Sequence, residues 1–150
     1  MPLTTAQLQT FKAAINSDPN LAAARAAGDH GAIAAYYNAN GTGTIARPNI
    51  PASQINSAVV WSEFIALSQA QRDAFARLTA LGTIDGTVQT IRDGFVAVFP
   101  TGTSLSNLVL VFNRTPTRFE ALYVSGTTPP ISALFGYIVA VSDVAAALGS

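Results

Sequence analysis

The chain has 150 residues, 49% of them hydrophobic and only 11% charged, less than half the charged share usual for soluble domains. Eight basic and eight acidic residues cancel to a formal net charge of zero, and there is no cysteine. That balance argues against a polyanion-binding surface, and the missing thiols exclude disulfides, thiol catalysis and thiolate metal sites.

Thr4-Thr5-Ala6-Gln7 places a hydroxyl three residues before a glutamine, a capping box that opens a helix. Leu8, Phe11, Lys12 and Ile15 follow at helical spacing, and Asp18-Pro19 stops it. Residues 21–27 read as an alanine-rich helix closed by Gly28. Asp29 caps a third helix through Ile33, Tyr36 and Tyr37, ending at Asn38-Ala-Asn-Gly41. Residues 40–51, with Gly41, Gly43, Pro48 and Pro51, read as an irregular loop. Two short helices follow over 53–60 and 61–67, meeting near Trp61. Ser68-Gln-Ala-Gln71 is a second capping box, and Phe75, Leu78 and Leu81 form a buried stripe that ends at Gly82. Thr83 or Asp85 opens the next helix, carrying Val88, Ile91, Phe95 and Val98 and stopping before Pro100. Thr103-Ser104 caps 105–112, and Pro116, at a first-turn position, opens 117–123.

The period then changes. Residues 122–125 and 134–141 are rich in β-branched and aromatic side chains and flank Gly126-Thr-Thr-Pro-Pro130, the pattern of a hairpin. Ser142-Asp143 caps a final helix through Leu148. The expected fold is mainly α, a bundle of seven or eight short helices with one β-hairpin near the C-terminus. It is read as a single domain over 1–150, with a helical body at 3–123 and the hairpin and terminal helix at 122–148. No internal repeat stands out.

No apolar run approaches the roughly 20 residues a membrane-spanning helix needs, and no signal peptide is visible at the start. A soluble intracellular product is expected, which makes the Asn-x-Thr triplets at Asn40 and Asn113 chance matches. Gly41-Thr-Gly-Thr-Ile-Ala46 has the letters of a dinucleotide fingerprint, but that mechanism needs a strand before it and a helix after it. Here a helix end precedes the glycines and Arg47-Pro48 blocks a following helix. Lys12 is the only lysine, so there is no P-loop. The carboxylates stand singly, at Asp18, Asp29, Glu63, Asp73, Asp85, Asp93, Glu120 and Asp143; nothing in the spacing brings Glu63 to Glu120. No Gly-x-Ser-x-Gly elbow is present, and His30, the single histidine, reads as a structural residue. No catalytic residue, cofactor or metal site is assigned, and the chain is read as a non-enzyme.

Interfaces remain. A net charge of zero removes self-repulsion, and a mean hydropathy of +0.34 favours burial against partners. Arg72 with Asp73, Arg92 with Asp93 and Arg118 with Glu120 are spaced for local ion pairs on helix surfaces. Arg114 and Arg118 flank Pro116 one helical turn apart and are expected to face one neighbour. Trp61, Tyr36, Tyr37 and Tyr123 are candidate aromatic anchors, equally consistent with core positions, and Tyr137 and Val139 complete the candidate interface with Trp61, Tyr37 and the two arginines. The strands at Val124 and from Tyr137 through Val139 to Val141 are expected to extend a neighbour's sheet edge.

Four segments carry a resemblance: Leu3-Thr-Thr-Ala-Gln-Leu-Gln-Thr-Phe-Lys12 with Asp18-Pro19, Ala32-Ile-Ala-Ala-Tyr-Tyr-Asn38, Arg114-Thr-Pro-Thr-Arg-Phe-Glu-Ala-Leu-Tyr123, and Ser142-Asp-Val-Ala-Ala-Ala-Leu148. Together, over most of the chain and in order, they resemble a family of small tailed-bacteriophage proteins of about this length, hypothetical or virion-associated. Members often carry Pro-Ala-x-Pro-Ala-x-x-Val-Trp after the Tyr-Asn. Here Gly41 to Pro51 and Val59-Val-Trp61 stand in its place, and the C-terminal hairpin also departs from the pattern. The resemblance implies a structural virion subunit, above all a head-to-tail connector or adaptor assembled as a ring. A tail, baseplate or capsid-decoration role, or binding to a host factor, is the alternative. The implied partners are copies of itself and portal, tail or capsid proteins, with no sequence-specific nucleic acid and no membrane. The implied location is the virion, assembled in the bacterial cytoplasm.

Overall fold

Hydroxyl side chains start three of the helices. Thr4, Ser68 and Thr117 each accept from the backbone N–H three residues on, while Gln7, Gln71 and Glu120 reach back to the cap N–H. The third box lies one residue past Pro116 and sets that helix start more tightly than the proline does.

The computed structural model describes residues 1–126 and 129–149, and the chain is mainly helical. Its helices are α1 (Thr5–Ser17), α2 (Ala22–Ala27), α3 (His30–Asn38), α4 (Ala52–Ala58), α5 (Trp61–Ile65), α6 (Gln69–Thr79), α7 (Gln89–Val98), α8 (Thr103–Phe112), α9 (Arg118–Ala121) and α10 (Val141–Gly149). A 3-10 turn, Pro19–Leu21, follows α1. The strands are short: β1 (Ile45–Ala46), β2 (Ile50–Pro51), β3 (Thr83–Ile84), β4 (Asn113–Arg114), β5 (Val124–Ser125) and β6 (Ile131–Ser132).

These residues gather into two compact units. The first comprises Met1–Gly43, Thr115–Ser125 and Ser132–Ser150, and so holds α1–α3, α9 and α10. At its centre is Phe11, in edge-to-face contact with Tyr37 and with Phe119 at 4.9 Å each. α10 packs on α1 and α3, burying Val144 and Ala147 with Ile15 and Ile33. Polar bonds between distant segments close this unit. Asn38 brackets Val139, donating Nδ2 to its carbonyl at 2.9 Å and accepting its N–H at 2.8 Å. Tyr123 donates its hydroxyl to the Gln7 carbonyl at 2.7 Å. Arg25 donates to the carbonyls of Ile15 and Asp18, placing a cation at the negative end of α1. Glu120 is fully buried, its carboxylate accepting from Thr117 N and Gly136 N.

The second unit comprises Thr44–Arg114 and Gly126–Ile131. β1 pairs antiparallel with β4, Ile45 opposite Arg114, and β2 with β3, Ile50 opposite Ile84. Phe75 organises the core, edge-to-face with Phe64, Phe95 and Phe99 at 5.7, 6.1 and 5.8 Å. Contrary to the expectation of no internal repeat, its main helix pair, α6 and α7, repeats a motif. Residues 69–83 and 89–103 share Gln, Arg, Asp, Phe, Gly and Thr in register. In each helix the leading glutamine accepts from the arginine three on and donates to the aspartate four on. Each ends near a left-handed glycine, Gly82 at φ 74° and Gly102 at φ 99°. Phe75 and Phe95 are the matching core residues, so the repeat unites motif and packing.

Several boundaries differ from the sequence expectation. α7 starts at Gln89 because Asp85 turns the chain instead, accepting from Thr87 N at 2.9 Å and from its hydroxyl at 2.6 Å, while 83–84 pair with β2. The loop at 40–51 contains β1 and β2. The second hairpin arm, 134–141, is not a strand. Its backbone groups are taken by side chains: Gly136 N by Glu120, Val139 N and O by Asn38, Ala140 N by Asp143. In this region strand pairing is confined to β5 and β6; the turn positions Thr127 and Thr128 lie outside the described residues. The arginines bond to glutamines and carbonyls: Arg72 and Arg92 to Gln69 and Gln89, Arg118 to Tyr36 O.

Candidate functional site

The first unit carries an open cleft of about 510 Å³ at the end of α1, lined by Ser17, Asp18, Tyr36, Asn40, Thr42 and Arg118 among others. Asp18 terminates α1 and caps the following turn, accepting from Asn20 N at 2.9 Å. An isolated bridge between Asn40 and Thr117 holds α9 beside the end of α3, with Gly41 N donating to Pro116 O at 2.9 Å. Arg118 is thereby laid across Tyr36. Its guanidinium carbon stands 4.3 Å from the ring centroid, and Nη1 donates to Tyr36 O at 3.0 Å. The Tyr36 hydroxyl, the Asn20 amide groups and the Arg118 charge together hold the Asp18 carboxyl below its ordinary value. Burial pushes the phenol of Tyr37, behind this wall, up to about 12. The cleft offers one stacked cation and several hydrogen-bonding groups to a polar ligand. Ser17 donates its hydroxyl to Ala14 O at 3.2 Å, and no histidine lines the cleft.

The second unit offers apolar surface. Trp61 is 71% exposed at the start of α5, stacked on Phe64 at 5.6 Å. Val109 and Leu110 project from α8 at 51% and 75% exposure. Grooves run along α8 on both sides, one of about 250 Å³ lined by Val96, Leu105 and Val109, the other of about 480 Å³ lined by Ser53, Ser57, Asn107 and Leu110. In the smaller groove Asn113 donates to Val109 O at 2.9 Å, while its own Oδ1 is buried without a partner among the described residues. The N-terminus of α8 is capped by a side chain from α5. Glu63 accepts from Thr103 N at 2.8 Å and Ser104 N at 2.7 Å, and its bonds to Ser104 and Thr103 hold its carboxyl below the ordinary value. Gly102, at φ 99°, leaves room for that carboxylate; a Cβ there would come within 2.7 Å of Oε1.

The residues singled out from the sequence part company. Arg118 and Tyr37 meet at the cleft. Tyr37 and Val139 are each 3% exposed and belong to the first core, so neither can anchor a partner. Tyr137 is half-buried, tilted over Phe119 at 5.4 Å and donating to Asp143 at 3.1 Å. Arg114 sits on β4 in the second unit while Arg118 opens α9 in the first, so they are not one turn apart on a helix. Trp61 alone of the six is broadly exposed. Leu110 and Ile138, 75% and 78% exposed, were missed. For Leu110 the available signal was the run Leu108-Val-Leu-Val-Phe112 in α8: five consecutive apolar residues on a helix cannot all face one core.

Around Gly41-Thr-Gly-Thr-Ile-Ala46 a helix precedes and strands follow, the reverse of the dinucleotide-binding order. Among the described residues no group of three His, Asp or Glu is placed to hold a metal ion, and no helix is long and apolar enough to cross a membrane. Compared with known proteins, the chain matches no family model, no curated protein and no solved structure.

Proposed function

We propose that this chain is a non-enzymatic structural subunit of a tailed bacteriophage virion, placed at the head-to-tail connector and working by assembly with copies of itself and with portal, tail or capsid proteins. One observation carries the reading. Large apolar side chains stand in solvent on a chain of zero net charge: Trp61, Leu110 and Ile138, each more than 70% exposed. Side chains of this size are available for contact, and no charge repulsion keeps copies of such a chain apart. The sequence resemblance supplies the setting. Geometry rather than chemistry would then be its work, with short capped helices fixing the subunit's shape.

A phage carrying a stop codon early in this reading frame tests the proposal. Unjoined full heads and tails are the expected products. Defective tails or fragile capsids move the chain to a tail, baseplate or decoration role. Intact particles in normal numbers overturn the structural reading in favour of a host-directed one.

A further inference from the structure

Asp18 and Arg118 bring opposite charges to the cleft at the end of α1, and among the described residues neither has an ionic partner. Tyr36 is the spacer between them. The Arg118 guanidinium lies over its ring, 4.3 Å from the centroid, and gives Nη1 to the Tyr36 carbonyl at 3.0 Å. The Asp18 carboxyl is held at the hydroxyl end, by the Tyr36 hydroxyl and by Asn20 N and Nδ2 at 2.9 and 3.0 Å. The ring thus keeps the charges close enough for Arg118 to lower the Asp18 carboxyl, yet too far apart to pair. Arg25, also near this helix end, donates to the backbone carbonyls of Ile15 and Asp18 and not to the carboxylate. Arg118 retains Nε and Nη2, two donors of the planar fork that suits a carboxylate. Asn40 and Thr42 stand exposed at the rim, while Ala14, Ala121 and Leu122 give the cleft an apolar wall.

We propose that this cleft binds a free α-amino acid with an aliphatic side chain, its carboxylate on Arg118, its ammonium on Asp18 and its side chain against Ala121 and Leu122. A ligand with a carboxylate alone would meet Asp18 as a like charge, and one with an amine alone would meet Arg118. A phosphate would bring still more negative charge to Asp18. A zwitterion answers both groups at once and carries no net charge into a cleft whose own charges cancel. Both charged side chains are fixed before any ligand arrives, and neither has to leave another ion, so little ordering is lost on binding. The volume of about 510 Å³ falls in the range of small-molecule sites, roughly 300–1,000 Å³. The site lies wholly within the first unit and is independent of the virion role.

Titration of the isotope-labelled wild-type chain with L-leucine, followed by NMR at the amides of Gly41 and Thr42 and at Arg118 Nε, tests the proposal. Saturable shifts at these positions are expected. Isocaproate, which is leucine without its ammonium, and isoamylamine, which is leucine without its carboxylate, are each expected to bind at least tenfold more weakly. Asp18→Asn keeps a carbonyl oxygen for Asn20 N, so the helix end is retained. It is expected to weaken leucine at least tenfold while isocaproate binds no worse than before. Arg118→Gln is expected to lose leucine and isocaproate alike, with an unchanged far-ultraviolet spectrum. Leucine that produces no saturable shift at the cleft overturns the inference. Isocaproate binding as tightly as leucine overturns it too, because the ammonium is then not read by Asp18.

Discussion

The two units reach stability by different routes. The second is drawn almost wholly from one continuous stretch, and its core is aliphatic and phenylalanine-rich, with a repeated helix supplying matching Phe75 and Phe95. The first joins the two ends of the chain, so its contacts span more than a hundred residues, as in Asn38 with Val139 and Gln7 with Tyr123. Its core is richer in tyrosine and includes a buried carboxylate. The second unit closes shorter loops, the directional bonds between Glu63 and Thr103 and between Asn107 and Ala58 spanning forty to fifty residues. Distant segments must also be held in register, and directional bonds at Asn38, Glu120 and Tyr123 do that.

Removing each central ring should produce the largest effect. Phe11→Ala and Phe75→Ala are each expected to cost about 3–5 kcal/mol. Hydrogen exchange should then rise first in α1, α3, α9 and α10 for Phe11→Ala, and in α6, α7 and α8 for Phe75→Ala. A uniform rise in both variants would break the comparison. Next comes the buried acid. Glu120→Ala leaves Thr117 N and Gly136 N without their acceptor and is expected to cost about 2 kcal/mol in chemical denaturation, with Glu120→Gln milder because one carbonyl oxygen remains.

Gly86→Ala probes the second unit by overpacking. A Cβ at this position would lie 2.6 Å from Arg47 O and 2.8 Å from Ile50 Cδ1, so a loss of about 1–3 kcal/mol is expected. The smallest effect belongs to Glu63, which is only partly buried. Its carboxyl is held below the ordinary value in the folded chain, so its contribution is present above the unfolded pKa and is lost as pH falls through the folded one. Melting temperatures of wild type and Glu63→Gln should differ at pH 7 and converge on acidification. A gap that widens on acidification would contradict the cap.

Much of the fold was legible in the sequence because its signals were local. The capping boxes at Thr4 and Ser68, the Asp29 cap and the Gly28 stop all stand where the residue pattern put them. What escaped was set by distant partners. The apolar run 134–141 has strand composition, yet Asn38, Glu120 and Asp143 consume its backbone groups. The cap of α8 comes from Glu63, forty residues upstream of Thr103. Of the candidate interface residues, Trp61 is the one left broadly exposed, whereas Tyr37 and Val139 have the composition of contact residues and the position of core. Burial of an aromatic or a valine depends on which face packs inward, and that is fixed by the other segments of the first unit.

Mass spectrometry of gradient-purified phage particles, with this chain's copy number scaled to the major capsid protein, tests the proposed virion role most directly. The account predicts a fixed, low number of copies, that of a single ring per particle. Copies in proportion to the capsid or tail-tube protein would move it to decoration or tail, and its absence from the particle would contradict the role altogether.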